Sequence, residues 1–422
     1  MKPYQVLIFI VAVMAITGGL YWAFPEKGVG GDDLVVLETL DSLENLGDPG
    51  VPDTLEIPDI PEPPKTVAVE AIPKVIVDST TDSRIFLRRF YASLAETATR
   101  TVRILHYGDS QIEEDRMTMQ IREAFQNRYG GRGVGLMPLA QTIPSLTEKQ
   151  QLHMNGRMVN PMQGPQRYFV YGLPRNQRSD KRYGVMGQMA EMNENLVKGS
   201  ESIVAVCTPQ DEIPRYTRWK IFADSTITTS ISGDTVRLHG RGNVYGLSQE
   251  SETGVIVDNL AMRGCLGLVF TKMDSTQLST FYREENVRLI IMQFGGNAIP
   301  FNEKPSTIQS IVKGLRDQVR YLRRQAPEAD ILFIGPSDMI RMVDGEWETY
   351  PMVPYMDKML HKMALEENIA YFSLYGWMGG SGSMLRWKDV GLAGADGIHF
   401  YRTGAKKAGD AVAEWIIEGI KN

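Results

Sequence analysis

Short apolar runs alternate with amphipathic stretches over two separated parts of this chain. Runs of strand length stand at Thr101–Tyr107, Gly254–Leu260, Val287–Phe294, Asp330–Gly335 and Ile369–Leu374. Between most of them, apolar residues recur at helical spacing, over Ile112–Tyr129, Ser306–Gln325 and Met356–Glu367. A last stretch of this kind, Gly404–Ile420, puts Ala408, Val412 and Trp415 on one face. Ahead of the first strand, Ile85, Phe86, Phe90 and Leu94 predict one more amphipathic helix. Apolar strands separated by helices predict an α/β fold with a parallel sheet covered on both faces. Such sheets hold ligands beyond the carboxyl ends of their strands.

From 138 to 253 the alternation breaks. Long helical patterns are missing, and short strand-like runs take their place: Arg167–Tyr171, Ser202–Cys207, Arg218–Phe222, Ser225–Ile231 and Asp234–His239. Turn residues separate them, as in Ser232-Gly233-Asp234. The pattern predicts a β-rich, sandwich-like insert at 138–253 within an α/β unit built from 83–137 and 254–422. No internal repeat is present.

The first 82 residues read differently. Tyr4–Phe24 is uncharged and apolar over about twenty residues, enough for a bilayer-spanning helix. Lys2 precedes it and acidic residues follow, so residues 1–24 predict a transmembrane anchor with its tail in the cytosol. A cleaved signal peptide is the alternative, for which Met14-Ala-Ile-Thr-Gly-Gly19 makes a poor cleavage site. Either way the body is exported, to a bacterial periplasm or cell surface. Residues 25–82 carry seven prolines beyond Pro25 and fourteen acidic residues against three lysines, which predicts a disordered tether. As a flexible coil it would span about 40 Å. Apart from that tether and Lys2 the chain is near +4, with no basic stripe of the kind nucleic acid requires. Cys207 and Cys265 are too few for a disulfide framework, and are compatible with one bridge or with two separate thiols.

The chemistry lies at strand ends. Gly108-Asp109-Ser110 follows the first strand, Gly295-Gly296-Asn297 follows another, and Asp396-Gly397-Ile398-His399 stands near the carboxyl terminus. A serine hydroxyl needs a base to take its proton, and imidazole suits that role near neutral pH. The imidazole needs a carboxylate to fix its tautomer, and Asp396 stands within one turn of His399. A tetrahedral intermediate needs donors for its oxyanion. The Ser110 N–H, the Gly264 N–H and the Asn297 amide are the candidates.

These four blocks, in this order, resemble the SGNH or GDSL-type hydrolases, whose blocks supply Ser, Gly, Asn and His. Gly264 lies in Met262-Arg-Gly-Cys265, and the blocks run from about residue 100 to the carboxyl terminus. Gln111 stands where many members have leucine, and Ala298 where the Gly-x-Asn-Asp block has aspartate. Neither departure removes a catalytic group. No Gly-x-Ser-x-Gly motif is present, which argues against an α/β-hydrolase. The resemblance implies a three-layer α/β/α, flavodoxin-like fold and a Ser110–His399–Asp396 triad without metal or organic cofactor. Its insert between the Ser and Gly blocks is similar to that of envelope enzymes acting on O-acetyl groups of glycans. It thereby implies a membrane-anchored esterase whose partner is an acetylated glycan, above all peptidoglycan. An O-acetyltransferase with the same triad, or a glycan-binding scaffold, are the other readings.

Other chemistry-bearing residues have plainer explanations. His106 lies within a strand, and His153, His239 and His361 lack metal-ligand spacing. Glu113, Glu114 and Asp115 suit a helix amino terminus. Cys265 reads as a small buried residue rather than a nucleophile. Trp377 and Trp387, in the glycine-rich loop before Asp396, are candidates to stack on a sugar or to anchor that loop.

Overall fold

A computed structural model describes residues 82–154, 157–159, 170–172, 183–192, 202–209 and 215–421. The expected anchor, and the tether up to residue 81, lie outside these. Among the described residues no helix is long and apolar enough to cross a membrane.

Five parallel strands form the central sheet: β1 (Thr101–Gly108), β2 (Gly254–Ala261), β3 (Val287–Gln293), β4 (Asp330–Ile334) and β5 (Ala370–Phe372). Their order is β2-β1-β3-β4-β5, one of the common doubly wound arrangements. Every residue of β1 is buried. Successive side chains go to opposite faces, so Ile104 and Leu105 join different cores. One core takes Leu105, Tyr107, Ile290, Met292 and Phe333 against helices α2 (Ser275–Glu284), α3 (Pro305–Gln325) and α4 (Val353–Glu366). The other takes Val102, Ile104, Val257, Ile291 and Leu332 against α1 (Thr118–Tyr129) and α5 (Arg402–Glu418). The mixed α/β class and its parallel sheet are as the pattern predicts.

Three local differences have physical causes. Before β1, a 3₁₀ turn, a short helix and a second 3₁₀ turn replace one regular helix. The 3₁₀ start shifts the phase, burying Leu87, Phe90 and Leu94 and leaving Ile85 exposed. After Ser110 the chain makes a 3₁₀ turn, and α1 starts only at Thr118. The break lies at Glu114 and Asp115, both at positive φ. Their neighbours hold them there: Leu146 N–H donates to the Glu114 carbonyl at 2.9 Å, and Asp115 pairs with Arg122 and Thr147. The acidic run therefore serves specific partners rather than the helix dipole. Finally, Trp415 is only half-buried, and Ala405, Ala408, Val412 and Ile416 form the packed face of α5.

Two antiparallel sheets fill the interval between β1 and β2. One runs in the order 157–159, 148–154, 202–209, 235–239, 228–232. In the other, Gly242–Glu250 pairs with Gly135–Met137, Gln188–Met192 and Arg218–Ala223. Leu152, Ile203, Ala205, Val236 and Leu238 of the first sheet share a core with Met137, Ala190, Met192, Val244 and Leu247 of the second. Both cysteines are buried free thiols.

A charged cluster joins this β unit to the central sheet. Arg103 of β1 is fully buried, 2.8 Å from Asp258 of β2, 3.2 Å from Glu285 beyond α2, and paired also with Glu250. Lys220 adds contacts to Glu250 at 3.1 Å and Glu285 at 2.6 Å, and Arg218 reaches Glu250 at 2.9 Å. Burial raises the Glu250 carboxyl, but Arg103 and Lys220 outweigh it and hold that group at about 2. Buried charges are tolerated only with such pairing. Removing Arg103 strips the buried Asp258 of its cation and leaves Glu250 and Glu285 only Lys220 and Arg218. Arg103→Met is expected to destabilise the protein by about 3–5 kcal/mol, read as a lower midpoint in denaturant unfolding.

Candidate active site

The carboxyl ends of β1, β2 and β3 carry the first three blocks. After β1, Asp109 caps the turn by accepting the Gln111 N–H at 3.0 Å, which presents Ser110 at the sheet edge. After β2, the Met262 N–H donates to the Gly108 carbonyl at 2.8 Å and ties that loop to the serine turn. Gly264 lies inside a turn closed by Cys265 N–H to the Met262 carbonyl at 3.0 Å. Its φ of +71° is a conformation that side chains with a Cβ disfavour. After β3, Gly295 takes φ +117° and turns Asn297 back toward the second block. The Asn297 amide donates to the Cys265 carbonyl at 3.1 Å. Each loop is thereby stitched to the next.

The fourth block comes from the loop before α5. Ser110 Oγ lies 2.8 Å from His399 Nε2, and His399 Nδ1 lies 2.6 Å from Asp396 Oδ2. The carboxylate can only accept, so Nδ1 carries the proton and Nε2 offers its lone pair to the hydroxyl. Asp396 Oδ1 also accepts the N–H groups of Ile398 and His399, at 2.9 and 3.0 Å. Burial pushes the Asp396 carboxyl up, but His399 and these two donors outweigh it and hold it below its usual range. It stays a carboxylate.

Neither the Ser110 N–H nor the Gly264 N–H has an acceptor among the described residues. A Cβ built on Gly264 meets nothing within 4 Å, so open space lies beside that peptide. With the second N–H of the Asn297 amide, these are donors of the kind that a developing oxyanion requires.

The remaining candidates separate cleanly. Trp387 is buried, T-shaped against Trp377 at 5.6 Å and tilted on Phe400 at 5.0 Å, so its ring anchors the loop. Trp377 remains 40% exposed and is the tryptophan of the two that can meet a sugar. Burial pushes the Cys265 thiol up to about 12, outweighing the Gly267 N–H that its sulfur accepts, so it stays a protonated thiol near neutral pH. Burial also pushes His106 down to about 4; it bonds Gln293 at 3.1 Å and Thr118 at 2.9 Å beneath the serine turn. His361 stacks on Tyr371. Among the described residues no cluster of His, Cys, Asp and Glu could hold a metal.

Sequence reasoning missed several supports. Arg263, beside Gly264, pairs with the buried Glu113 at 2.7 Å and so fixes the second block against the serine turn. A hairpin, Ile340–Val343 with Glu346–Thr349, gives its Ile340 N–H to the Gly397 carbonyl at 2.9 Å, inside the Asp–His turn. Asp338 is buried and accepts from Thr349 and from Met384 N–H, pinning the glycine-rich loop. Gln111 reaches across to the histidine loop.

Known proteins agree with this arrangement at the level of the fold. No family model matches the chain, and no curated protein does. Among solved structures the likeness is one of fold. A structure described as a peptidoglycan O-acetylesterase is 20% identical and superposes with a TM-score of 0.65, over 81% of this chain and 99% of that one. An acetyl xylan esterase (12% identity, 39% of this chain and 80% of that one, TM-score 0.27) matches over a shorter stretch. So does a GDSL-like lipase from Parabacteroides merdae, at 16% identity over 40% of this chain and 73% of that one, with a TM-score of 0.29.

Asp109 offers a pH test of this geometry. Burial raises its carboxyl to about 6, opposed by the Gln111 N–H and by His399, with Glu113 adding to the rise. The folded state therefore holds this proton more tightly than the unfolded chain does. Its contribution to stability is present below about pH 4 and is lost as pH rises through 6. Asp109→Asn keeps an oxygen for the Gln111 N–H and removes the charge. Between pH 4 and 7, denaturant unfolding should show the variant gaining about 2–3 kcal/mol on the wild type. Parallel curves would show that Asp109 does not carry this shift.

Proposed function

We propose that this chain is an exported serine esterase that removes O-acetyl groups from a cell-envelope glycan, peptidoglycan first. The observation that carries the reading is the Ser110–His399–Asp396 chain, at 2.8 and 2.6 Å, beside two unpaired peptide N–H groups. The acetyl specificity rests on the likeness in fold, over 81% of this chain, to the structure described as a peptidoglycan O-acetylesterase.

The steps follow from the atoms. His399 Nε2 takes the Ser110 proton as Oγ bonds to the acetyl carbonyl carbon. The carbonyl oxygen becomes an oxyanion, held by the N–H groups of Ser110 and Gly264 and the Asn297 amide. Each such donor is worth about 10²–10³ in rate. Collapse breaks the bond to the sugar oxygen, which leaves with the proton from His399. Water, deprotonated by the same imidazole, then attacks the acetyl-serine and releases acetate. Asp396 stabilises the imidazolium in both halves.

Hydrolysis is favoured over transfer by access. The His399 and Asp396 side chains are 34% and 40% exposed, so water reaches the base, whereas a transferase must exclude it. Trp377 stands ready to stack on the glycan, and the β unit between the Ser and Gly blocks adds surface for a polymer. Export and tethering rest on the apolar Tyr4–Phe24 and the acidic, proline-bearing stretch after it.

The test is acetate release from O-acetylated peptidoglycan by the full chain. Ser110→Ala should lower the rate by about 10⁴-fold or more, and Asp396→Asn by about 10²–10⁴-fold. Acetate release that survives Ser110→Ala would remove the esterase reading; glycan binding without release would favour a scaffold.

A further inference from the structure

The residue after the nucleophile makes a contact that the triad chemistry leaves unexplained. Gln111 is buried on the serine turn, and its side-chain amide leaves that turn for two other segments. Its Nε2 donates to the Ile398 carbonyl at 2.6 Å and to Ser337 Oγ, in the loop after β4, at 3.3 Å. The Ile398 carbonyl belongs to the same peptide group as the His399 N–H. That N–H donates to Asp396 Oδ1 at 3.0 Å. One peptide plane is therefore gripped at both ends, by Gln111 at its oxygen and by Asp396 at its nitrogen. The imidazole hangs from the next Cα.

Stability does not explain the choice of residue. Gln111 Oε1 is buried and has no hydrogen-bond partner among the described residues. An amide oxygen stripped of water without a donor weakens the fold, and an apolar side chain of the same length would avoid that cost. What the amide supplies in return is a hydrogen bond aimed at the histidine loop. This loop is also held to its surroundings by the Ile340 N–H on the Gly397 carbonyl, one residue before Ile398, and by Arg116 Nη1 on the Phe400 carbonyl at 3.1 Å, one residue after His399.

We infer that Gln111 is a positioning residue for the base: its amide couples the serine turn to the 398–399 peptide and sets the approach of His399 Nε2 to Ser110 Oγ. The inference rests on the reading of His399 as base. Gln111 touches neither substrate nor proton, so it acts on turnover and leaves ground-state binding unchanged. Misplacement of a catalytic group by about 1 Å can cost on the order of 10²-fold.

The test measures kcat and KM on a small acetyl ester with the full chain. Gln111→Met keeps length and burial but has neither donor nor stranded oxygen. It should melt no lower than the wild type, lose about 10- to 100-fold in kcat and keep KM within about twofold. Gln111→Leu, which supplies the residue common in the resembled family, should lose kcat in the same way. In a His399→Ala background the Met change should cause no further loss, because the group it positions is gone. A merely structural role would lower the melting temperature and persist in that background. Either result, or a kcat within about twofold of wild type in both variants, would overturn the inference. Ser110→Ala is run alongside. Full activity there would overturn the esterase reading, and this inference with it; loss there with unchanged Gln111 variants would overturn this inference alone.

Discussion

A single guanidinium, buried in the middle of the molecule, sets what its surroundings must be. Arg103 sits on β1, an interior strand of the parallel sheet, where burial would otherwise demand an apolar residue. Its charge requires carboxylates, and they come from β2, from the end of α2 and from the antiparallel strand 242–250. Asp258 goes further and accepts the Leu136 N–H at 2.7 Å, at the start of the β unit. The cluster thus fastens the inserted strands to the sheet by charge pairing that apolar contact alone would not direct. It also fixes β1 laterally, between β2 and β3, seven residues before the serine.

That fixed strand end is where function becomes physical. Ser110, Gly264 and Asn297 come from three neighbouring strand ends, and each loop gives a hydrogen bond to the one before it. His399, the proposed base, comes from a distant part of the chain and has to be brought to the same height. Several small contacts achieve this: Ile340 to Gly397, Gln111 to Ile398, and Asp396 to the peptides of its own turn. A pre-set donor array and a base held by its backbone are what electrostatic preorganisation asks for.

The sequence carried the strands of the sheet because each is a short apolar run, buried on both faces. It carried the four blocks because three have a fixed residue type at a strand end and the fourth pairs Asp396 with His399 within one turn. It did not carry Arg103, since a charged residue inside an apolar run gives no sign of the carboxylates that meet it from more than a hundred residues away. The left-handed Glu114 and Asp115 were likewise invisible, because the Leu146 N–H, Arg122 and Thr147 hold them there, and no local pattern announces those contacts. The hairpin was legible and went unread: Asp344-Gly345, both at positive φ, joins Ile340–Val343 to Glu346–Thr349 as the common two-residue turn does. Trp387 shows the opposite limit, since composition cannot tell a loop's anchor from a sugar platform. Strands 148–154 and 188–192 escaped because their polar residues hide the alternation.

The central claim is that Ser110 is acylated during turnover and that His399 drives both halves of the cycle. It is tested most directly by mixing the full chain with an activated acetyl ester, quenching in acid and mapping covalent adducts by mass spectrometry. The account predicts one acetyl group, on the peptide carrying Ser110, appearing in a burst and absent from His399→Ala on the same timescale. Acetate released at the full rate without any adduct on Ser110 would contradict it.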